Sequence, residues 1–218
     1  MKVSDIPAVN RILKREFAKQ HAPIVDLVAA QTEDPFHVLV ATILSTRTKD
    51  ECTAKVCERV FKIIGKPHDF DRLTLREVEK IIFPIGFYHT KAQHLKKLPS
   101  VLDAEFGGSV PDSIDDLMKL PGVGRKVANL VMTQGFNKPA ICVDVHVHRI
   151  CNRLGLLKTR DPFGTEMTLR RILPIRYWKK WNSYLVSFGQ ITCAPIGPKC
   201  STCPLRIHCN QVGVTRHR

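Results

Sequence analysis

The chain has 218 residues, long enough for one full domain or two small ones with a buried core. Its 44% apolar and 25% charged residues are those of a globular protein and exclude a disordered or low-complexity chain. The 34 Lys and Arg against 20 Asp and Glu leave a formal charge of +14, which favours polyanionic partners, nucleic acid ahead of an anionic membrane surface.

The charge is unevenly spread. No Asp or Glu follows Glu166, whereas Arg170, Arg171, Arg176, Lys179, Lys180, Lys199, Arg206, Arg216 and Arg218 do. So long an acid-free stretch reads as a polyanion-binding surface rather than a solubilising face. The N-terminal "MKVSDIPAVNRILKREF" mixes charges into its apolar residues and has no signal-peptide core. The longest apolar run, "FHVLVATIL", falls far short of a bilayer span. The expectation is a soluble intracellular protein, cytoplasmic and associated with the nucleoid, with no membrane contact. Its eight cysteines then need a reason other than disulfides.

Most of the chain has helical spacing. Phe36, Val38, Leu39, Val40, Ile43 and Leu44 predict a strongly apolar helix after Pro35. Helices are also predicted from about Asp50 to Ile64 and from Leu75 to Phe83. "TKAQHLKKL" continues the pattern, with Pro99 expected to kink or end it. "PDSIDDLMKL" offers Asp112 or Ser113 as a helix cap. "GRKVANLVM", with Val127, Leu130 and Val131 on one apolar face, and "VHVHRICNRLG" predict two more helices, and further ones follow over 165–173 and 177–188. Strand alternation and fixed-period repeats are absent, so the predicted class is all-α with short loops.

The tail from Thr192, "TCAPIGPKCSTCPLRIHC", is rich in proline and cysteine and has no such period. Cys193, Cys200, Cys203 and Cys209 follow the spacing C-x6-C-x2-C-x5-C. Four thiolates on short loops can wrap one metal centre. Structural zinc favours two tight knuckles, and only Cys200–Cys203 is tight, so the spacing leans toward a bulkier [4Fe–4S] cluster and leaves zinc open. Cys52, Cys57, Cys142 and Cys151 have no such pattern and are expected to be small buried hydrophobes. Lys199, Arg206 and His208 lie among the patterned cysteines, and a rigid loop there would make them a phosphate clamp.

"SIDDLMKLPGVGRKVANLVM" reads as helix, tight turn, helix. Pro121 stops the first helix, and Gly122 and Gly124 around Val123 permit positive φ and bare the backbone. N–H groups at a helix start hydrogen-bond phosphate without any side chain, which suits a sequence-independent DNA anchor. An ordinary helical hairpin turn uses the same residues. Lys126 then falls in the first turn of the following helix, where a positive charge is least welcome. A helix N-terminus and partial burial both favour the neutral amine, which is a nucleophile. The plainer alternative is a surface lysine on phosphate. Eighteen residues later Asp144 precedes a helix, either as its N-cap alone or also as a carboxylate that stabilises cationic sugar chemistry.

"LPGVGRKVANLV", "VDVHVHRICNRLG" and the four-cysteine pattern stand in the order and spacing of the endonuclease III family, helix–hairpin–helix DNA glycosylases. "DPFHVLVATILSTRTKD" and "IGFYHTKAQHL" also resemble its segments, so the similarity runs from about Pro35 to Cys209. The resemblance implies a two-lobed helical fold: a six-helix barrel over residues 28–138, and a second lobe of residues 1–27 plus 139–218 carrying one [4Fe–4S] cluster on the four cysteines. DNA would lie across the groove between them. It implies a base-excision enzyme that extrudes an oxidised pyrimidine from double-stranded DNA and also acts on abasic sites; such excision needs only a monomer. Lys126 matches the nucleophile that attacks C1′ and forms a Schiff base, followed by β-elimination, and Asp144 the carboxylate that assists it. Gly122, Val123 and Gly124 match the hairpin on phosphate, and His146 falls among residues expected near DNA.

Two positions depart from the family. Arg47 stands where glutamine is frequent, the side chain that enters the gap left by the extruded base. Phe87 replaces the usual leucine wedge. Arginine can pair with an orphaned purine and phenylalanine can wedge a base step. The alternatives are a monofunctional mismatch or adenine glycosylase of the same fold, whose relatives lack the lysine, and a non-catalytic DNA-binding module. That module would have no need of Lys126 and Asp144 together.

Overall fold

A computed structural model describes residues 1–19 and 24–218. Among these residues every regular element is helical. In chain order the helices are α1 (Ile6–Phe17), α2 (Ile24–Thr32), α3 (Pro35–Ser45), α4 (Asp50–Phe61), α5 (Leu75–Ile82), α6 (Tyr88–Phe106), α7 (Ile114–Leu117), α8 (Arg125–Gln134), α9 (Val145–Leu154), α10 (Pro162–Ile172) and α11 (Trp178–Ile191). No helix is long and apolar enough to cross a membrane. The chain divides into two compact units, Pro23–Lys138 and the pair of segments Met1–Ala22 and Pro139–Arg218.

In the continuous unit α3 is the central helix. Pro35 opens it where a missing N–H costs nothing, and the Asp34 carboxylate accepts from the Phe36 N–H. Phe36 and every residue from Val38 to Leu44 are buried, so the helix is apolar all round and is surrounded by α2, α4, α6 and α8. α5 starts with a reciprocal capping box between Thr74 and Glu77 and buries Val78 and Ile82. It ends at Ile82 rather than Phe83, because Phe83 precedes Pro84 and takes an extended ψ of 136°. α4 likewise stops at Phe61, short of the predicted Ile64.

Of the two outcomes expected of Pro99, a kink or an end, the end does not occur: α6 runs on to Phe106 and stops at Gly107, which takes φ +59°. Proline in a helix interior costs about 3 kcal/mol. Burial of Leu95, Leu98, Pro99 and Leu102 on one face offsets that cost, since each fully buried leucine contributes about 1.5–3 kcal/mol.

The split unit has its own core around Trp181, which is fully buried. Ile6, Val9 and Leu13 of α1 recur at helical spacing and meet Val147, Ile150 and Leu154 of α9 and Leu185 and Phe188 of α11. The N-terminal ammonium bonds the Leu154 carbonyl at 2.9 Å and Asn210 Oδ1 at 2.7 Å. The last residues after α11 have no longer regular element than a 3-10 turn at Arg206–His208.

Candidate functional site

The hairpin between α7 and α8 is built from two buried anchors. Leu120 and Val123 point into the core, and the Val123 N–H closes the turn on the Leu120 carbonyl at 3.1 Å. Ser113, not Asp112, caps α7; Asp112 pairs with Lys138 at 2.5 Å instead. Gly122 has φ +77°, and a Cβ there would lie 2.6 Å from His94 Nδ1, so both conformation and space demand glycine. Gly124 differs from the expectation of a second left-handed glycine. Its φ is −94°, its surroundings are open, and it is the N-cap of α8 without a side chain to cap with. The Val123 side chain is buried.

Lys126 is the second residue of α8 and is exposed. Its charge acts on Asp50, the first residue of α4. Asp50 lies at the surface, yet crowding around its carboxyl raises its pKa, and an Ile24 backbone hydrogen bond and the Lys126 ammonium pull the other way. The sequence does not mark Asp50 as a partner of Lys126; its only signal there is an acid in the first turn of a helix. Asp144, in the other unit, is the N-cap of α9. Its Oδ1 accepts from the His146 and Val147 N–H groups, both at 2.9 Å, so capping occupies one oxygen of the carboxylate. His146 is held within its own unit: its Nδ1 meets Arg149 Nη2 at 3.0 Å, and Gly189 leaves it room that a Cβ would take.

Arg47 and Phe87, 40 residues apart in sequence, come together. Both are exposed, both hold left-handed backbones at φ +53° and +59°, and the guanidinium carbon is 5.4 Å from the ring centroid. The close approach of Gly86, where a Cβ would sit 2.6 Å from the Arg47 carbonyl oxygen, makes this pairing possible. Non-glycine residues at positive φ are costly and cluster at functional sites. The pair lines a pocket of about 260 Å³ together with Thr90, Lys91, His94 and Gly122 of the hairpin. Nothing in the sequence marks Lys91 and His94, since a helical lysine and histidine look like ordinary surface residues. Lys91 is only 6% exposed, and burial pushes its pKa down to about 8.

Cys193, Cys200, Cys203 and Cys209 all line one cavity with Ile150, Leu154, Phe188 and Leu205. Arg153 Nη1 points at Cys193 Sγ at 3.5 Å, and the Gln211 N–H at Cys209 Sγ at 3.4 Å. Arg153 also donates to the Ala194 and Pro195 carbonyls at 2.6 and 2.7 Å, and Arg149 to the Cys193 carbonyl, so α9 ties down the first cysteine loop. Burial pushes the Cys203 thiol up to about 11 and also raises Cys200 and Cys209, with the sulfurs opposing one another's ionisation. Thiols so placed ionise readily only around a cationic centre. The four cysteines lining one cavity are a donor set that suits a metal centre. Lys199 and Arg206 are exposed beside these loops. Of the other cysteines, Cys57, Cys142 and Cys151 are buried as expected, and burial holds Cys57 and Cys151 near 12; Cys52 is instead partly exposed on α4.

The model of the HhH-GPD superfamily of base excision DNA repair proteins matches residues 40–174. Endonuclease III of Thermotoga maritima is 44% identical over 176 residues, covering 81% of this chain and 83% of that protein. Endonuclease III of Bacillus subtilis is 37% identical over 179 residues, covering 82% of each. A solved structure of a trapped endonuclease III–DNA covalent intermediate, an estranged-adenine complex, matches with TM-score 0.86 and 34% identity, covering 97% of each chain.

The hairpin geometry separates its two glycines. Gly122→Ala should lower stability by about 1–3 kcal/mol, because it combines a left-handed backbone with a clash at His94. Gly124→Ala should change it by less than about 0.5 kcal/mol. Thermal melts of the two variants, with His94→Ala added to the first to relieve the clash, check this.

Proposed function

Because this chain belongs to the HhH-GPD superfamily of base excision DNA repair proteins, we propose that Lys126 is the nucleophile of a DNA glycosylase and AP lyase acting on oxidised pyrimidines in duplex DNA. The observation that carries the reading is an exposed lysine in the first turn of a helix whose start is a glycine hairpin with no side-chain cap. Backbone N–H groups of such a turn suit a phosphate and hold the sugar beside the amine. Lys126 Nζ attacks C1′ with its lone pair. The bond between C1′ and the base nitrogen breaks, and the base leaves with the bonding pair and gains a proton. The nitrogen loses one of its two protons and the ring oxygen O4′ gains one as the sugar opens to an iminium. Removal of a C2′ proton then expels the 3′ phosphate, and water releases the enzyme from the nicked product.

Asp144 supplies negative charge to the cationic sugar, while its capping bonds keep the carboxylate fixed on α9. Arg47 and Phe87 enter the duplex in place of the extruded nucleotide, the ring as wedge and the guanidinium toward the orphaned base. Cys193, Cys200, Cys203 and Cys209 would hold one [4Fe–4S] cluster, which staples the irregular tail and presents Lys199 and Arg206 to phosphate. Excision of one base needs only a monomer.

Borohydride reduction on an abasic or thymine-glycol duplex should trap a covalent adduct, and Lys126→Gln should abolish it. Strand cutting that survives in Lys126→Gln would overturn the assignment. Asn caps a helix as well as Asp does, so Asp144→Asn should keep the melting temperature while slowing excision by about a hundredfold or more. The purified protein should carry roughly four iron and four sulfide per chain with a broad visible absorption; stoichiometric zinc and no colour would replace the cluster by a zinc site. Lys199→Ala with Arg206→Ala should flatten the plot of log affinity against log salt by about 1.8, the slope expected for two lost phosphate contacts.

A further inference from the structure

The buried lysine of α6 stands between the two residues assigned to enter the duplex. Its backbone N–H bonds the Phe87 carbonyl at 3.0 Å. Its ammonium donates to the Leu44 carbonyl at 2.9 Å and to the Thr46 carbonyl at 2.6 Å. Thr46 is the C-cap of α3 and directly precedes Arg47. We propose that Lys91 is a positioning residue that sets the Arg47–Phe87 pair, and so governs base extrusion and the choice of opposite base without itself touching DNA.

The physical case rests on what each end of this bridge lacks. α3 does not end in glycine; it passes into Arg47 at φ +53°, a conformation that arginine rarely adopts. The last carbonyls of a helix need donors, and a cation at that end is favoured by the helix dipole. Lys91 meets both needs with one group that is shielded from solvent. α6 begins just as unusually, with Phe87 left-handed at its N-cap. Lys91 belongs to the first turn of that helix, so one residue ties both strained backbones, the end of α3 through its side chain and the start of α6 through its own backbone N–H. Burial works against the ammonium, as its lowered pKa shows, and an ordinary capped helix end carries no such cost. The pocket that Lys91 lines is bounded by Arg47, Phe87 and Gly122, so a displaced loop would alter the surface the duplex meets.

This inference rests on the insertion role given above to Arg47 and Phe87. The test compares two single-turnover reactions of the full chain: excision of thymine glycol placed opposite adenine or guanine, and nicking of a preformed abasic site. In Lys91→Met, and more mildly in Lys91→Gln, the ratio of excision to nicking should fall by about tenfold to a hundredfold, because a displaced wedge impairs extrusion more than sugar chemistry. The difference between adenine and guanine opposite the lesion should shrink with it. Adding Lys91→Met to Arg47→Ala should cost little more than Arg47→Ala alone, since coupled residues are not additive. A purely structural lysine would lower both reactions in proportion to the folded fraction and would add fully to Arg47→Ala, and either result overturns the proposal. Should Lys91→Met not fold, the same ratio and cycle are read from Lys91→Gln. Borohydride trapping by these variants separates the two readings: an adduct with an unchanged ratio removes only the positioning role, whereas no adduct from the wild type removes both.

Discussion

Three left-handed residues, Gly122, Arg47 and Phe87, converge on one pocket, and the continuous unit is organised around keeping them there. Only glycine takes that conformation freely; an arginine and a phenylalanine hold it at a cost that the surrounding structure must cover. Gly86 gives the Arg47 carbonyl its space, His94 closes over Gly122, and Lys91 bonds the carbonyls of Leu44 and Thr46. All of these rest on α3 and α6, whose inner faces are fully buried. The apolar core therefore stabilises a particular set of unfavourable torsions at its rim as well as the fold.

The hairpin extends the same constraint to the chemistry. Leu120 and Val123 are buried on either side of Gly122, so the start of α8 is located by packing rather than by a capping side chain. Lys126 follows one residue into that helix and exerts its field on Asp50 at the start of α4. An amine delivered on a rigid helix start keeps its aim, whereas the same lysine on a loop would lose most of the advantage of proximity.

The split unit solves a different problem. Its core, gathered around Trp181, is ordinary, but the segment after α11 has no more than a 3-10 turn with which to bury itself. Two arginines one helical turn apart on α9, Arg149 and Arg153, hold the Cys193 loop through its carbonyls, and the tail returns at Arg218 to bond Pro198 and Ser201. Around the cavity the thiols resist ionisation in one another's company, which is the electrostatic demand that a metal centre answers.

Periodicity was enough to read the helices from α3 onward, because a strongly apolar face such as that of α3 has few ways to be buried. Short-range spacing likewise sufficed for the cysteine pattern and for a lysine placed against the helix dipole, which are local statements about neighbouring residues. Helix ends were less legible: α6 passes through Pro99 because buried leucines on the same face outweigh one lost hydrogen bond. Asp144 as a cap was legible, since capping is also local. What no local pattern contained was the meeting of Arg47 with Phe87, the field of Lys126 at Asp50, and the burial of Lys91 under a helix end 45 residues away. Those depend on which distant segments share a pocket, and a side chain's cost or use is set by the neighbours that packing brings to it, not by its place in the chain.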